Sequence, residues 1–386
     1  MASNAAMHLS HRPAAVAVQF FDWPSLFNER AAEYLRIIEE TAAAGGFILQ
    51  EAVARFERAL AEYVGVEHAI GVSDCTNAML LGLRASAIER GDEIILPSHA
   101  FIAAAQAIHF AGAVPIPVDI DQTDGLIDPE AVRAAITPRT RAIMAVHVNG
   151  RISEMDSLQA IAEEHGLEIY EDAAQALGAT LDGRQAGSFG SWGAFSFYPS
   201  KTLGCFGDAG ALVTDDDELA ARVRSMRNHG AGPGKVVDPD CELWGTNARI
   251  DNVHAAILAY KLGWYGEVVE RRRAIAARYA DAFSGIASMR LPPGPDADPR
   301  RIDIYQNYEV RCACREELRE HLAERGIGTI VQWGGTPIHR FRGLGFSQVL
   351  PRSDRYLDTS LLLPMNHLLS DRQVDAVIDA VREFFD

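Results

Sequence analysis

Between residues 68 and 214, short β-branched runs alternate with stretches in which apolar residues recur every three or four positions. A short apolar run or a period of two marks a strand, and a period near 3.6 marks a helix that packs by one face. The pattern predicts seven strands, at 69–72, 93–96, 114–118, 141–147, 168–171, 194–197 and 211–214. Strands separated by helices are the signature of βα units around a mainly parallel seven-stranded sheet, so the fold class is α/β. Helical periodicity returns over 250–282 and ends at "LPPGPDADPR" (291–300), where four prolines and a glycine break it. Beyond this linker-like patch the pattern predicts a strand over 305–311, a helix over 316–325, an irregular glycine-rich stretch and a closing helix over 371–385. The expected organisation is a flexible N-terminal arm (1–20), a large domain (21–262) and a smaller C-terminal α+β domain (263–386).

Composition narrows the function classes. With 48% hydrophobic and 23% charged residues the chain has the profile of a soluble globular protein with a sizeable core. Its net charge of −17 works against nucleic acid or an anionic membrane as partner, since both need a basic patch. The densest basic run, Arg271-Arg272-Arg273, falls in a helical pattern and reads as a solvated face. The five cysteines are odd in number and lack C-x-x-C spacing, which argues against a disulfide framework and a four-ligand zinc site. No metal is expected. No run of 18 apolar residues occurs, and the chain is expected to be cytoplasmic.

In open α/β sheets, ligands gather where strands end. The residues after the expected strands include Cys75 and Thr76, Phe101, His147, Asp172 with Gln175, and Lys201. A lysine amine held near neutral pH can bond a carbonyl carbon and move protons. A carboxylate can keep a pyridine nitrogen protonated, a flat ring such as Phe101 can stack on it, and a strand-to-helix turn at Cys75, Thr76 and Ser196 can hold a phosphate. This is the set that a pyridoxal phosphate site requires. The absence of G-x-G-x-x-G after the first strand removes a dinucleotide site as the main alternative.

Three segments, "YEDAAQALGA" (170–179), "SFYPSKTLGCFGDAGALVTDDDELAARVRSMRNHG" (196–230) and "GTNARIDNVHAAIL" (245–258), resemble the DegT/DnrJ/EryC1/StrS family of sugar aminotransferases. Weaker similarity extends from 45 to 367, most of the chain. The Asp172 and Lys201 motifs, 29 residues apart, are highly specific together. The resemblance implies an aspartate-aminotransferase-like fold (fold type I) and a homodimer with shared sites. It implies Lys201 as the Schiff-base lysine, Asp172 at the pyridine nitrogen and Phe101 on the ring face. It places Gln175 beside the phenolic oxygen, Cys75, Thr76 and Ser196 on the phosphate, and Asn247 of a second copy on that same phosphate. His147, Arg249 and His339 are candidate substrate contacts, and Arg151, Arg249, Arg340 and Arg342 are candidates for a diphosphate.

The implied reaction moves nitrogen from L-glutamate or glutamine to a keto-sugar, most closely a nucleotide-linked 3- or 4-keto-deoxy sugar, with pyridoxamine phosphate as the amine-carrying form. A keto-cyclitol is the alternative acceptor and a non-catalytic relative the alternative class. A sugar dehydratase of similar sequence would carry histidine in place of Lys201. The chain departs from the family pattern at Asp74-Cys75, where a Ser-Gly turn is usual, and at Ala100, Ala248 and Asn307. These changes bear on the phosphate turn and the substrate pocket.

Overall fold

All seven expected strands pair in one sheet of the computed structural model, which describes residues 17–86, 88–232, 234–235 and 237–386. Helices α1 (Trp23–Asn28), α2 (Ala31–Ala43) and α3 (Glu51–Val64) come first. The sheet is then built from β1 (His68–Val72), β2 (Glu93–Pro97), β3 (Val114–Val118), β4 (Thr140–Val146) and β5 (Glu168–Asp172). Between them lie α4 (Cys75–Ala85), α5 (Ile102–Phe110), α6 (Pro129–Ala135) and α7 (Met155–His165). A small hairpin, β6 (Thr180–Leu181) and β7 (Arg184–Gln185), precedes the last sheet strands, β8 (Trp192–Ser196) and β9 (Gly210–Thr214). The order is β1-β9-β8-β5-β4-β2-β3, and β9 alone runs against the others.

Alternation along these strands separates two cores. Ile95, Ile143, Ala145, Ile169 and Phe195 face one layer with α3, α6 and α7, while Ile94, Leu96, Met144, Tyr170 and Trp192 face the other with α4, α5 and α8 (Asp217–Met226). Tyr170 and Trp192 stack with centroids 4.6 Å apart, filling that second layer.

The helical pattern expected over 250–282 is two helices, α9 (Asn252–Leu262) and α10 (Tyr265–Phe283). They break at Trp264, whose backbone is non-helical and whose ring lies under the Arg30 guanidinium at 4.4 Å. A third core gathers α10, β10 (Met289–Arg290), β12 (Tyr308–Cys312), α11 (Arg315–Glu324), β13 (Ser360–Leu363) and α13 (Asp371–Phe385). Between β10 and β12, the two-residue β11 (Arg301–Ile302) pairs with β6, so the proline-rich stretch carries the chain back onto the β6–β7 hairpin as a separate three-stranded sheet. β13, preceded by α12 (Pro351–Thr359), lies within the stretch expected to be irregular. A four-residue apolar run does not distinguish strand from helix by period.

Two other expectations change. Of the arm expected over 1–20, residues 1–16 lie outside the described residues, and Val18 is buried, its N–H donating to the Gly326 carbonyl at 2.9 Å. The arginine run is not a solvated face. Arg272 is buried and donates to the carbonyls of Tyr305 and Gln306, while Arg271 reaches Leu369 and Arg273 reaches Asp303 and Pro295. Backbone carbonyls left unpaired by irregular segments recruited all three guanidinium groups. Among the described residues no helix is long and apolar enough to cross a membrane.

Beneath the sheet, buried Glu171 accepts from the N–H groups of Gly187, Phe189 and Gly190 at 2.5–2.7 Å and lies 2.8 Å from His147 Nε2. Ser153 N–H donates to His147 Nδ1, so the ring hydrogen sits on Nε2 and is donated to Glu171. Glu171→Gln replaces an all-acceptor carboxylate by an amide whose NH2 faces donors. It is expected to cost about 3 kcal/mol, read as a lower urea midpoint at unchanged slope. An unchanged midpoint would show that this carboxylate does not hold the 187–190 turn.

Candidate active site

β4, β5 and β8 lie side by side and end at Val146, Asp172 and Ser196. With the starts of α4 and α5, these ends surround a cavity of about 530 Å3. Seven of the expected site residues line it, namely Cys75, Thr76, Phe101, Asp172, Gln175, Ser196 and Lys201.

Lys201 stands in the turn after β8, where its N–H donates to the Tyr198 carbonyl at 2.8 Å. The turn is tight because Gly204 passes close to it: a Cβ there would meet the Pro199 carbonyl oxygen at 2.7 Å. Among the described residues nothing pairs with Lys201 Nζ, and burial pushes its pKa down against the opposing charge of Asp172. Asp172 is buried, and burial pushes its pKa up, opposed by the Ala174 N–H, Lys201 and His147. Its Oδ1 accepts from Ala174 N–H at 3.1 Å, and Oδ2 takes no hydrogen bond among the described residues. The cavity therefore holds an uncommitted amine and a carboxylate with one oxygen free. Burial, then the charge of Asp172, holds the Cys75 thiol well above its usual range, so it is no nucleophile.

Asp74 caps α4: Oδ1 accepts from Asn77 N–H at 2.8 Å, and Oδ2 from Asn77 Nδ2 and Ser73 Oγ at 2.7 and 2.8 Å. The anion introduced into this turn is thus saturated by local donors. The N–H groups of Cys75 and Thr76 have no acceptor among the described residues, which suits the helix start to a phosphate. Gly210 makes the turn possible, since a Cβ there would lie 2.4 Å from the Asp74 carbonyl carbon. Phe101, 53% exposed, stands at the mouth with Trp333, ring centroids 6.4 Å apart. Gln175 Oε1 accepts from Asn149 N–H at 2.7 Å, and Ser196 Oγ accepts from Tyr198 N–H at 3.4 Å. A free amine, a carboxylate, a flat ring and unpaired helix N–H groups in one cavity are the donor set that pyridoxal phosphate needs, and the residues present fit it.

Other expected residues lie elsewhere. Asn247 is exposed and does not line the cavity of its own chain. Arg249 donates to Asn228 Oδ1 at 3.0 Å, also away from the cavity. His147 is no substrate contact, because both ring nitrogens are used beneath the sheet. His339 does not line the cavity either: its Nδ1 lies 2.7 Å from Ser98 Oγ, and its Nε2 faces Asp354 at 3.0 Å. Arg151 is paired with Asp303 and Asp124, and Arg340 with Asp354 and Asp358, which removes both as free diphosphate contacts. Among the described residues Arg342 donates only to the carbonyls of Phe346 and Gln348. Trp333, Tyr198 and Asp208 line the cavity without having been expected there. A signal for Trp333 exists in retrospect, an aromatic followed by Gly334-Gly335, the pair that continues the left-handed turn begun at Trp333 itself.

The DegT/DnrJ/EryC1/StrS aminotransferase family matches the chain over residues 28–382. A dTDP-3-amino-3,4,6-trideoxy-alpha-D-glucose transaminase of Streptomyces venezuelae is 40% identical over 381 residues, which span 97% of this chain and 98% of that one. A UDP-N-acetyl-3-dehydro-alpha-D-glucosamine 3-aminotransferase of Acidithiobacillus ferrooxidans is 33% identical over 368 residues, 95% of this chain and 97% of the other. The crystal structure of S. venezuelae DesV in complex with a ketimine intermediate has a TM-score of 0.90 at 39% identity, covering 96% of this chain and 99% of that one. With its cavity, its uncommitted lysine and these matches, the chain belongs to the DegT/DnrJ/EryC1/StrS family and is a pyridoxal-phosphate-dependent sugar aminotransferase of fold type I.

Proposed function

We propose that this enzyme moves an amino group from glutamate or glutamine to C3 of a nucleotide-linked 3-keto-deoxy sugar. The observation that carries the reading is the uncommitted Lys201 amine in one cavity with the half-bonded Asp172 carboxylate. Relatives named as 3-amino or 3-dehydro nucleotide-sugar aminotransferases favour C3, and favour dTDP- or UDP-linked sugars over a keto-cyclitol.

When bound, pyridoxal phosphate supplies an electron-withdrawing ring that stabilises charge on the carbon beside the transferred nitrogen. Lys201, uncharged more readily than a lysine in solvent, would take the proton at Nζ from the carbon on one side of that nitrogen and deliver it to the carbon on the other. Asp172 would keep the ring nitrogen protonated. The N–H groups of Cys75 and Thr76, with Ser196, would hold the phosphate, and Phe101 would cover the ring. A second copy of this chain completes the site through Asn247. Trp244, 91% exposed, and Phe47, 55% exposed, are apolar surfaces that such a dimer would cover. Arg249 and Arg342, which make no ion pair among the described residues, are the arginines left for the sugar's diphosphate.

Lys201→Ala is expected to abolish transamination of the dTDP-3-keto sugar while the circular-dichroism spectrum persists, and near-normal turnover would remove the mechanism. Asp172→Asn is expected to lower kcat about a hundredfold or more with cofactor still bound, and equal rates would show that ring protonation is not controlled there. The lowered pKa of Lys201 means its amine loses its proton at a lower pH in the folded, cofactor-free protein than in the denatured chain. Competitive acetylation across pH, read by mass spectrometry, is expected to show Lys201 becoming reactive earlier in the folded form. Coincident curves would contradict the desolvation argument.

A further inference from the structure

Gln175 is held from behind by a residue that no motif marks. Asn149 lies in the turn after β4 with φ 59° and ψ 10°, the left-handed region that a residue with a Cβ occupies only under compensation. Three hydrogen bonds supply it. Its N–H donates to Gln175 Oε1 at 2.7 Å, its Nδ2 donates to Glu309 Oε2 at 2.6 Å, and its Oδ1 accepts from Asn307 Nδ2 at 2.8 Å. Glu309, 3% exposed, sits in β12, and Tyr356 OH also donates to its Oε2, at 3.3 Å.

Hydrogen-bond chemistry fixes every orientation in this chain. A carboxylate only accepts, so Glu309 compels Asn149 to present Nδ2 and leaves Oδ1 for Asn307. A backbone N–H only donates, so Asn149 compels Gln175 to present Oε1 to it. Gln175 Nε2, a donor with no acceptor among the described residues, is what remains for the cavity that Gln175 lines. The segment carrying Asn307 and Glu309 thereby sets the polarity of a group on the cavity wall.

We propose that Asn149 is a positioning residue that, acting through Gln175, holds a hydrogen-bond donor against the phenolic oxygen of the cofactor. The inference rests on the reading that Gln175 faces that oxygen. A donor there stabilises the ionised oxygen, so the visible absorbance of the loaded enzyme titrates at a lower pH than it would without the donor. The other ionisable groups lining the cavity, Lys201, Asp172, Cys75, Asp74, Tyr198 and Asp208, and His147, which acts on Asp172, are unchanged in every variant below.

The test is the pH midpoint of visible absorbance in cofactor-loaded Gln175→Leu, Asn149→Ala, Asn149→Gly and the double variant Asn149→Ala/Gln175→Leu. Gln175→Leu is expected to raise the midpoint by about one pH unit, the scale of a hydrogen bond to a charged group. Asn149→Ala should raise it similarly, and the double variant no further. Asn149→Gly should raise it less, because glycine takes the left-handed conformation freely and keeps the N–H in place, and it carries the test if the alanine variant does not fold. Wild-type midpoints in both Asn149 variants alongside a shifted Gln175→Leu would overturn the positioning role, and so would additive shifts in the double variant. An unmoved midpoint in Gln175→Leu would remove Gln175 from the phenolic oxygen and the proposal with it. Neither result touches the assignment of Lys201, which its own variant decides.

Discussion

An amine and a carboxylate share one desolvated cavity, and each lacks the partner that would ordinarily quench it. Burial disfavours the charged form of both Lys201 and Asp172, while their mutual attraction favours it, and the balance leaves a lysine poised to lose its proton. The arrangement depends on strand register: Asp172 ends β5 opposite Ala194 of β8, two residues before Ser196 and seven before Lys201. A slip of one residue in β5 would turn Asp172 to the opposite face.

The neighbouring residue shows what that alternation achieves. Glu171 and Asp172 are consecutive carboxylates on opposite faces of one strand. Glu171 points beneath the sheet, where three backbone N–H groups and His147 saturate it, and it serves the fold. Asp172 points to the cavity with a single backbone N–H on one oxygen, and it is free to serve chemistry. The same residue pair thus divides structure from function by satisfying one member and leaving the other half-satisfied.

Departures from the family pattern have local explanations. Asp74 places a negative charge at a phosphate turn, yet as N-cap of α4 it spends both oxygens on Asn77 and Ser73. Asn307 and Asn149 form a two-amide bridge between the segment at β12 and the cavity wall, with Asn307 as the donor that Asn149 Oδ1 requires.

The sequence by itself determined the seven sheet strands, because β-branched runs and helical periods report burial on a local scale, and it singled out Lys201 and Asp172, which share one cavity, because two specific motifs coincide at a fixed spacing. It did not separate α9 from α10, whose break at Trp264 has helical periods on both sides, or reveal β13, whose four residues are too few for a period to show. Only the tertiary structure decided which polar side chains were already taken. His147, His339, Arg151 and Arg340 look available along the chain, but side chains on other elements pair with them. Arg272 looks solvated until irregular backbone folds over it. Asn149 carries no motif, and its three bonds reach residues 26, 158 and 160 positions away. Periodicity records whether a position is buried, whereas hydrogen-bond partnership depends on crossovers that bring distant segments together, and that information exists only in the folded chain.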